Sequence, residues 1–301
     1  MVKLLAFFKL IRSKNLLIIV LTQYLVRYAL ILPMTKSFSL NDVEFALLVI
    51  STIFIAAGGY IINDYFDTKV DRLNQRKVII DNSIKRREAI LMHLLLSLVG
   101  VFIGFYLGWK VGIIKLGFIN LFSATALWFY STNLKKANLS GNLLISLLSA
   151  LVLIIVPLYD IIPNPSTNGE TAFYAICNYA IFAFLTTFIR EVIKDFEDAA
   201  GDNQMGYTTF ALKLPKTAKR SVQTLSLVLI LIIGVIAYIQ WDYMAFYAAL
   251  YVVLFVELPF VYFYFKMLKA TTKKDFSHLS QVIKLIMVTG TLSILVFTLL
   301  F

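Results

Sequence analysis

The stretch VEFALLVISTIFIAAGGYIINDYFDTKVDR, residues 43–72, passes without a break from an apolar run into a row of acids. Residues four apart on an α-helix stand about 40° apart around its axis, so Asn63, Asp67 and Asp71 fall within roughly 80° of one another and Asp64 lies near 100°. The spacing predicts one polar stripe continuing from an apolar, membrane-spanning helix near residues 43–63. Like charges on one helical face repel each other. The stripe is tolerable if a cation sits among them.

A second stretch, REVIKDFEDAAGD at residues 190–202, has the same character. Asp195, Asp198 and Asp202 stand at i, i+3 and i+7, again one helical face. Gly201 and Gly206 would let the backbone turn or approach a ligand closely.

The rest of the chain fits a membrane setting. Of 301 residues, 60% are hydrophobic and 15% charged, with a mean hydropathy of +0.82. Soluble domains run about 45–50% apolar and about 25% charged. This excludes a soluble enzyme, a disordered chain and a secreted disulfide scaffold. A span takes about 20 mostly apolar residues. We place nine, near 16–33, 43–63, 89–108, 112–131, 142–161, 172–193, 221–239, 243–265 and 281–300. The expected fold class is all-α: a polytopic bundle of about nine transmembrane helices around a central cavity, with residues 1–301 forming one domain.

The net charge of +11 points to positive-inside bias rather than to nucleic acid. Lys and Arg gather before span 1 and in the loops after spans 2, 4, 6 and 8. The loops after spans 1 and 3 hold only Lys36 and Lys110, and those after spans 5 and 7 hold none. The pattern predicts a cytoplasmic N-terminus, an external C-terminus and both acidic rows on the cytoplasmic face. No small-residue cleavage site follows the charged start, so the first apolar run is read as a retained span. The short loops and the lack of a transit peptide favour a prokaryotic plasma membrane.

Carboxylate oxygens are hard ligands. Mg²⁺ typically takes one or two carboxylates, several waters and the phosphate oxygens of its substrate. Two acidic rows with Arg and Lys nearby therefore suit a Mg²⁺-bridged diphosphate. The ordinary alternative, a solvated acidic helix end, explains one such row more easily than two. Ionisable residues near membrane depth are costly and point to function. His93 and His278 have no ligand partners in sequence, and Cys177, the one cysteine, reads as a packed apolar residue.

At these residues the chain resembles the UbiA superfamily of intramembrane prenyltransferases. The first motif of that family, N-D-x-x-D-x-x-x-D, is complete at Asn63, Asp64, Asp67 and Asp71. The second, D-x-x-x-D, is matched by Asp198 and Asp202, with Asp195 as the extra upstream acid of many members. Gly206, Thr208, Thr209 and the pair Gly141-Asn142 fit as well. Two features depart: residues 74–79 lack the prolines many members carry, and Ala200 stands where many have Glu.

The resemblance implies that Asp64, Asp67, Asp198 and Asp202 hold Mg²⁺, with Asn63, Asp71 and Asp195 in the substrate site. It makes Arg72, Lys77, Lys135, Arg190 and Lys194 candidates for the phosphate oxygens. The implied reaction moves a polyprenyl group from an allylic diphosphate to a lipid or aromatic acceptor within membrane lipid. The run Lys-Asp-Phe-Glu-Asp-x-x-Gly-Asp from Lys194 looks most like members that make digeranylgeranylglyceryl phosphate. Geranylgeranylglyceryl phosphate is therefore the favoured acceptor, and a quinone-pathway aromatic acid such as 4-hydroxybenzoate or dihydroxynaphthoate is the alternative. An ion-coupled transporter is the rival from another class. It is disfavoured because transporter sites lie near the bilayer midplane, and these acids stand at span ends.

Other polar residues carry weaker signals. Arg12 is read as a positive-inside anchor ahead of a diphosphate contact. Arg27, inside span 1, meets a phosphate, pairs with a buried acid or snorkels. Asn120 is read as bonding to a neighbouring helix ahead of lining a cavity. Glu191 is placed to orient Arg190 or Lys194, and Glu257 beside Leu258-Pro259 is read as structural.

Overall fold

The computed structural model describes residues 2–36, 38–74, 76–242 and 246–298. Among the described residues, ten helices of nine residues or more carry the chain: α1 (Val2–Leu10), α2 (Ser13–Thr35), α3 (Asp42–Leu73), α4 (Arg86–Lys110), α5 (Gly117–Thr132), α6 (Ser140–Asp160), α7 (Thr167–Gln204), α8 (Pro215–Asp242), α9 (Phe246–Lys269) and α10 (Lys273–Thr298), with a further short turn of α-helix at Phe210–Lys213. Among the described residues, eight of these, α2–α4 and α6–α10, are long and apolar enough to cross a membrane. The segment expected at 112–131 is α5, a helix of 16 residues. It rises about 24 Å, and the helical turn Ile114–Leu116 runs directly into it, so the expected count of about nine stands close to the eight long helices. Its first expected turn is spent on Gly112, at φ 78, and on the tight turn Ile114–Leu116. Residues 243–245 and 299–300, at the limits of the last two expected spans, lie outside the described residues.

Polar side chains set where helices begin. The Asn41 side chain accepts from the Glu44 N–H at 2.9 Å, and Glu44 accepts from the Asn41 N–H at 3.0 Å, a reciprocal cap that starts α3. Asp275 and Thr272 do the same for α10, with Asp275 accepting from the Thr272 N–H at 2.8 Å and Thr272 accepting in return at 3.2 Å.

The chain forms two compact units: residues 1–135 with 151–177, and residues 136–150 with 178–301. In the first unit α3 packs on α4 and α5, and hydrogen bonds between these apolar helices hold them in register. Ser51 of α3 donates to the Gly100 carbonyl of α4 at 2.6 Å, and Asn120 of α5 donates to the Ser51 hydroxyl at 2.7 Å. Tyr159 of α6 donates to the Gly104 carbonyl at 2.9 Å. Asn120 is thus interhelical glue, as its position in an apolar run suggested. Gly104 makes this possible: a Cβ there would stand 2.4 Å from the Asn120 side chain. Gly104→Ala should therefore cost about 1–3 kcal/mol through overpacking, read as a lowered midpoint of thermal unfolding in detergent. An unchanged midpoint would show that Asn120 moves aside freely.

Arg27 occupies a π-helical turn of α2, Val26–Ile31, and its side chain is fully buried. It donates to the carbonyls of Leu40 and Asn41, lies 3.4 Å from Asp160, and is flanked by the rings of Phe38 and Phe45 at 4.0 and 4.3 Å. Of the readings open for Arg27, the structure shows the interior ion pair. Asp160 in turn accepts from the Leu40 N–H at 3.1 Å.

The second unit is centred on an apolar cluster from α7 to α10 that includes Ile193, Val222, Phe260, Phe263 and Ile283. Glu257 ends a π-helical turn of α9, Val253–Glu257, two residues before Pro259. Proline has no N–H to give the carbonyl four residues earlier, here that of Phe255. The Thr289 hydroxyl of α10 supplies the bond instead, at 2.7 Å. Tyr251 of α9 donates back to the Thr289 carbonyl at 3.0 Å.

Candidate active site

Both acidic rows lie on the C-terminal turns of helices longer than a bilayer requires. Helix α3 has 32 residues and α7 has 38, about 48 and 57 Å of rise. The apolar part of each fills the span, and the remainder carries the acids.

In the first unit, Asn63, Asp64 and Asp67 share the α3 face that the periodicity predicts. Each acid carries a cation from elsewhere in the chain. Arg12 Nη2 is 2.9 Å from Asp64 Oδ1, with its guanidinium 4.9 Å from the Tyr60 ring centre. Lys135 Nζ pairs with Asp67 Oδ2. Asn63 Nδ2 also donates to Asp67 Oδ2, at 2.8 Å. That bond leaves Asn63 Oδ1 buried with no hydrogen-bond partner among the described residues. Asp71 stands one turn on, 3.8 Å from Arg76.

Arg12 sits between α1 and α2 in the left-handed region, at φ 51 and ψ 53. Its carbonyl receives the Asn15 N–H at 2.7 Å, so the link is pinned as the start of α2. Burial alone would lower the Arg12 pKa, but the Asp64 carboxylate together with Tyr60 and Asp67 outweighs it, and the guanidinium ends above its ordinary value. Arg12, read from the sequence as a positive-inside anchor ahead of a diphosphate contact, is the counter-ion of a first-motif acid.

Arg72 and Lys77 are placed differently. Helix α3 ends at Leu73, and Arg72 turns to Asp81 of the following loop at 3.9 Å. Lys77 is exposed on that loop. Among the described residues, the cations bonded to Asp64 and Asp67 are Arg12 and Lys135.

In the second unit, Asp195, Asp198 and Asp202 lie on α7, which continues unbroken through Gly201 to Gln204. Gly201 stays helical. Gly206, at φ 70, makes the turn that ends the helix, where the Tyr207 N–H returns to the Asp202 carbonyl at 3.0 Å. Asn142 Nδ2 donates to Asp195 Oδ2 at 3.0 Å. Glu191 gathers the two expected cations, Arg190 at 3.0 Å and Lys194 at 3.1 Å. Thr208 ties the turn to the Lys136 carbonyl through its N–H at 3.0 Å.

The donor set suits a hard cation. It offers carboxylate and amide oxygens, including the unpartnered Asn63 Oδ1, and no sulfur or imidazole. Among the described residues no three Asp, Glu, His or Cys side chains converge as a ready-made metal cage. Mg²⁺ needs none, since it keeps waters and takes substrate phosphate oxygens beside one or two carboxylates. His93 and His278 serve packing instead. His93 Nδ1 lies 2.9 Å from the Gly58 carbonyl with the ring stacked on Trp128, and His278 Nε2 lies 2.9 Å from the Tyr262 hydroxyl.

Comparison with known proteins adds a relationship. The model of the UbiA prenyltransferase family matches residues 20–296. A digeranylgeranylglyceryl phosphate synthase of Ignicoccus hospitalis is 33% identical over 188 residues, which is 62% of this chain and 59% of that protein. The enzyme of the same name from Sulfurisphaera tokodaii is 28% identical over 243 residues, 77% of this chain and 78% of that one. The match thus spans less than two thirds of the first relative and more of the second. Among solved structures, that of a digeranylgeranylglyceryl phosphate synthase superposes with a TM-score of 0.66 at 20% identity over 100% of both chains. A UbiA homolog from Archaeoglobus fulgidus bound to GPP and Mg²⁺ gives 0.53 at 15% identity, covering 96% of this chain and 99% of that one. At such identities the structural likeness establishes the fold.

Proposed function

Because the chain belongs to the UbiA prenyltransferase family, an integral membrane fold, we propose that it transfers a polyprenyl group from an allylic diphosphate to geranylgeranylglyceryl phosphate, with Mg²⁺ as cofactor. The observation that carries the reading is the α3 face: Asp64 and Asp67 side by side, each matched to a cation from a distant segment, next to an amide oxygen with no partner among the described residues. The names of the relatives from Ignicoccus hospitalis and Sulfurisphaera tokodaii support the acceptor. The complex of the Archaeoglobus fulgidus homolog with GPP and Mg²⁺ supports the donor and the metal.

In this reading Asp64, Asp67, Asp198 and Asp202 are the metal ligands. Bound Mg²⁺ supplies positive charge where the leaving diphosphate gains negative charge. Lys135 and Arg12 lie close enough to the α3 acids to take phosphate oxygens, and a guanidinium can do so with two parallel bonds. Arg190 and Lys194, held by Glu191, offer two more cations from α7. Asn63 and Asn142 orient Asp67 and Asp195 by donating to them. The bond between the allylic carbon and the diphosphate oxygen breaks, and the acceptor hydroxyl forms the new C–O bond and releases its proton. Apolar helix surfaces keep water from the allylic cation.

The family match crosses both units, so we take residues 1–301 as one catalytic domain. The Lys and Arg bias of the loops supports a cytoplasmic N-terminus and cytoplasmic acidic rows, and we take the membrane to be a prokaryotic plasma membrane. The test is to incubate the purified protein with Mg²⁺, geranylgeranyl diphosphate and an acceptor panel, and to identify products by mass. The panel holds geranylgeranylglyceryl phosphate, 4-hydroxybenzoate and dihydroxynaphthoate. Prenylated glyceryl phosphate is the expected product. A prenylated aromatic acid would move the chain to the quinone branch, and no diphosphate release with any donor length would remove the transferase reading.

A further inference from the structure

The carboxylates proposed to receive Mg²⁺ already hold cations. Arg12 is 2.9 Å from Asp64 Oδ1, and Lys135 is on Asp67 Oδ2. A divalent ion would need these same oxygens. We infer that Arg12 and Lys135 are exchangeable counter-ions, which hold Asp64 and Asp67 in the ion-free protein and pass to diphosphate oxygens when the metal-bound diphosphate arrives. The inference rests on the proposed metal assignment and goes beyond it to the order of events at the site.

Three observations carry it. The first is electrostatic. Asp64, Asp67 and Asp71 crowd one side of α3 within two turns, and such a row repels itself without cations. The second is where the cations sit. Arg12 lies in the two-residue link between α1 and α2, and Lys135 lies in the turn Leu134–Lys136 between α5 and α6. Either side chain can swing without unwinding a span. The third is a contrast within the same unit. The Arg12 and Lys135 side chains keep 38% and 25% of their surface exposed, whereas Arg27 keeps none and is bonded to two backbone carbonyls. Arg27 is fixed in place, whereas Arg12 and Lys135 have room to change partners.

The exchange makes and breaks no covalent bond. Its thermodynamic consequence is coupling. Metal alone must displace the cations and leave them unpaired. Metal with diphosphate gives them new partners, so each ligand tightens the other, and by linkage the effect is reciprocal.

The test uses Mn²⁺ as the probe, with free Mn²⁺ read by electron paramagnetic resonance on the 301-residue protein in lipid nanodiscs and no prenyl diphosphate present. Arg12→Gln and Lys135→Gln should each bind Mn²⁺ more tightly than the parent protein, by roughly three- to tenfold. Arg12→Lys, which keeps the charge, should stay near the parent value. With Mn²⁺ saturating, inorganic diphosphate should bind the two Gln variants more weakly. Mn²⁺ affinity that is unchanged or lower in both Gln variants would overturn the exchange. If Arg12→Gln fails to fold, Lys135→Gln decides, since it tests the same exchange from a different segment. Asp64→Asn separates the two levels: it should weaken Mn²⁺ binding, and if it does not, the metal assignment fails whatever the Gln variants show.

Discussion

Asp64→Ala is expected to lower prenyl transfer by at least about a thousandfold, with the protein still folded and inserted in the membrane. The carboxylate stands on the C-terminal turns of α3, past the part of the helix that fills a span. Its removal leaves the apolar packing of α3 on α4 and α5 untouched. The Arg12 side chain it releases keeps 38% of its surface exposed and can turn to water. Stability should therefore change little, while the proposed hold on Mg²⁺, whose charge would oppose the leaving diphosphate, is lost. Asp198→Ala on α7 should act in the same way, because it removes a proposed ligand of the same kind. The measurement is the initial rate of diphosphate release with Mg²⁺ and geranylgeranyl diphosphate. Size-exclusion elution and helical circular dichroism report the fold. Near-normal turnover in either variant would withdraw that acid from the metal site.

The second large effect concerns stability and a different residue. Arg27→Met should destabilise the protein by about 3–5 kcal/mol. Arg27 and Asp160 are both fully buried at their side chains, 3.4 Å apart. Removing the guanidinium leaves the Asp160 carboxylate without its cation and takes the donor from the Leu40 and Asn41 carbonyls. The link between α2 and α3 is tied down by these bonds and by Ser39, which donates to the Asp160 carbonyl at 2.9 Å. The double change Arg27→Met with Asp160→Leu removes both charges and should recover part of the loss, as buried pairs replaced together often do. Thermal unfolding in detergent measures both. An Arg27→Met variant as stable as its parent would mean that the pair contributes nothing net.

The spans were legible because each is an apolar run bounded by charge or turn residues, and a bilayer asks for little else. The start of α5 was less legible, since hydropathy does not register a glycine turn that consumes the first residues of a run. The acidic stripe on α3 was legible because helical spacing alone places Asn63, Asp64, Asp67 and Asp71. The partners of those acids were not. Arg12 reaches Asp64 across 52 residues of chain and Asn142 reaches Asp195 across 53. No periodicity encodes contacts between separate helices. Lys135 was named among the phosphate cations and stands on Asp67. Arg72 and Lys77 were named on the same grounds, but α3 stops at Leu73, and Arg72 faces Asp81. Proximity in sequence placed them near the acids, but Arg72 near the end of α3 pairs with the loop acid and Lys77 lies exposed beyond the helix.

The bond from Thr289 to the Phe255 carbonyl ties together two positions 34 residues apart in different helices. The hydroxyl at 289 has this task only while residue 259 is a proline. A chain that regained an N–H at 259 would close its own helix, and the Thr289 hydroxyl would be left with the Leu285 and Ile286 carbonyls of α10, so that its loss would cost less. A chain that lost the hydroxyl first would carry an orphaned carbonyl inside the membrane. The order of substitution therefore matters: the two sites are epistatic, and the permitted evolutionary path runs through the proline.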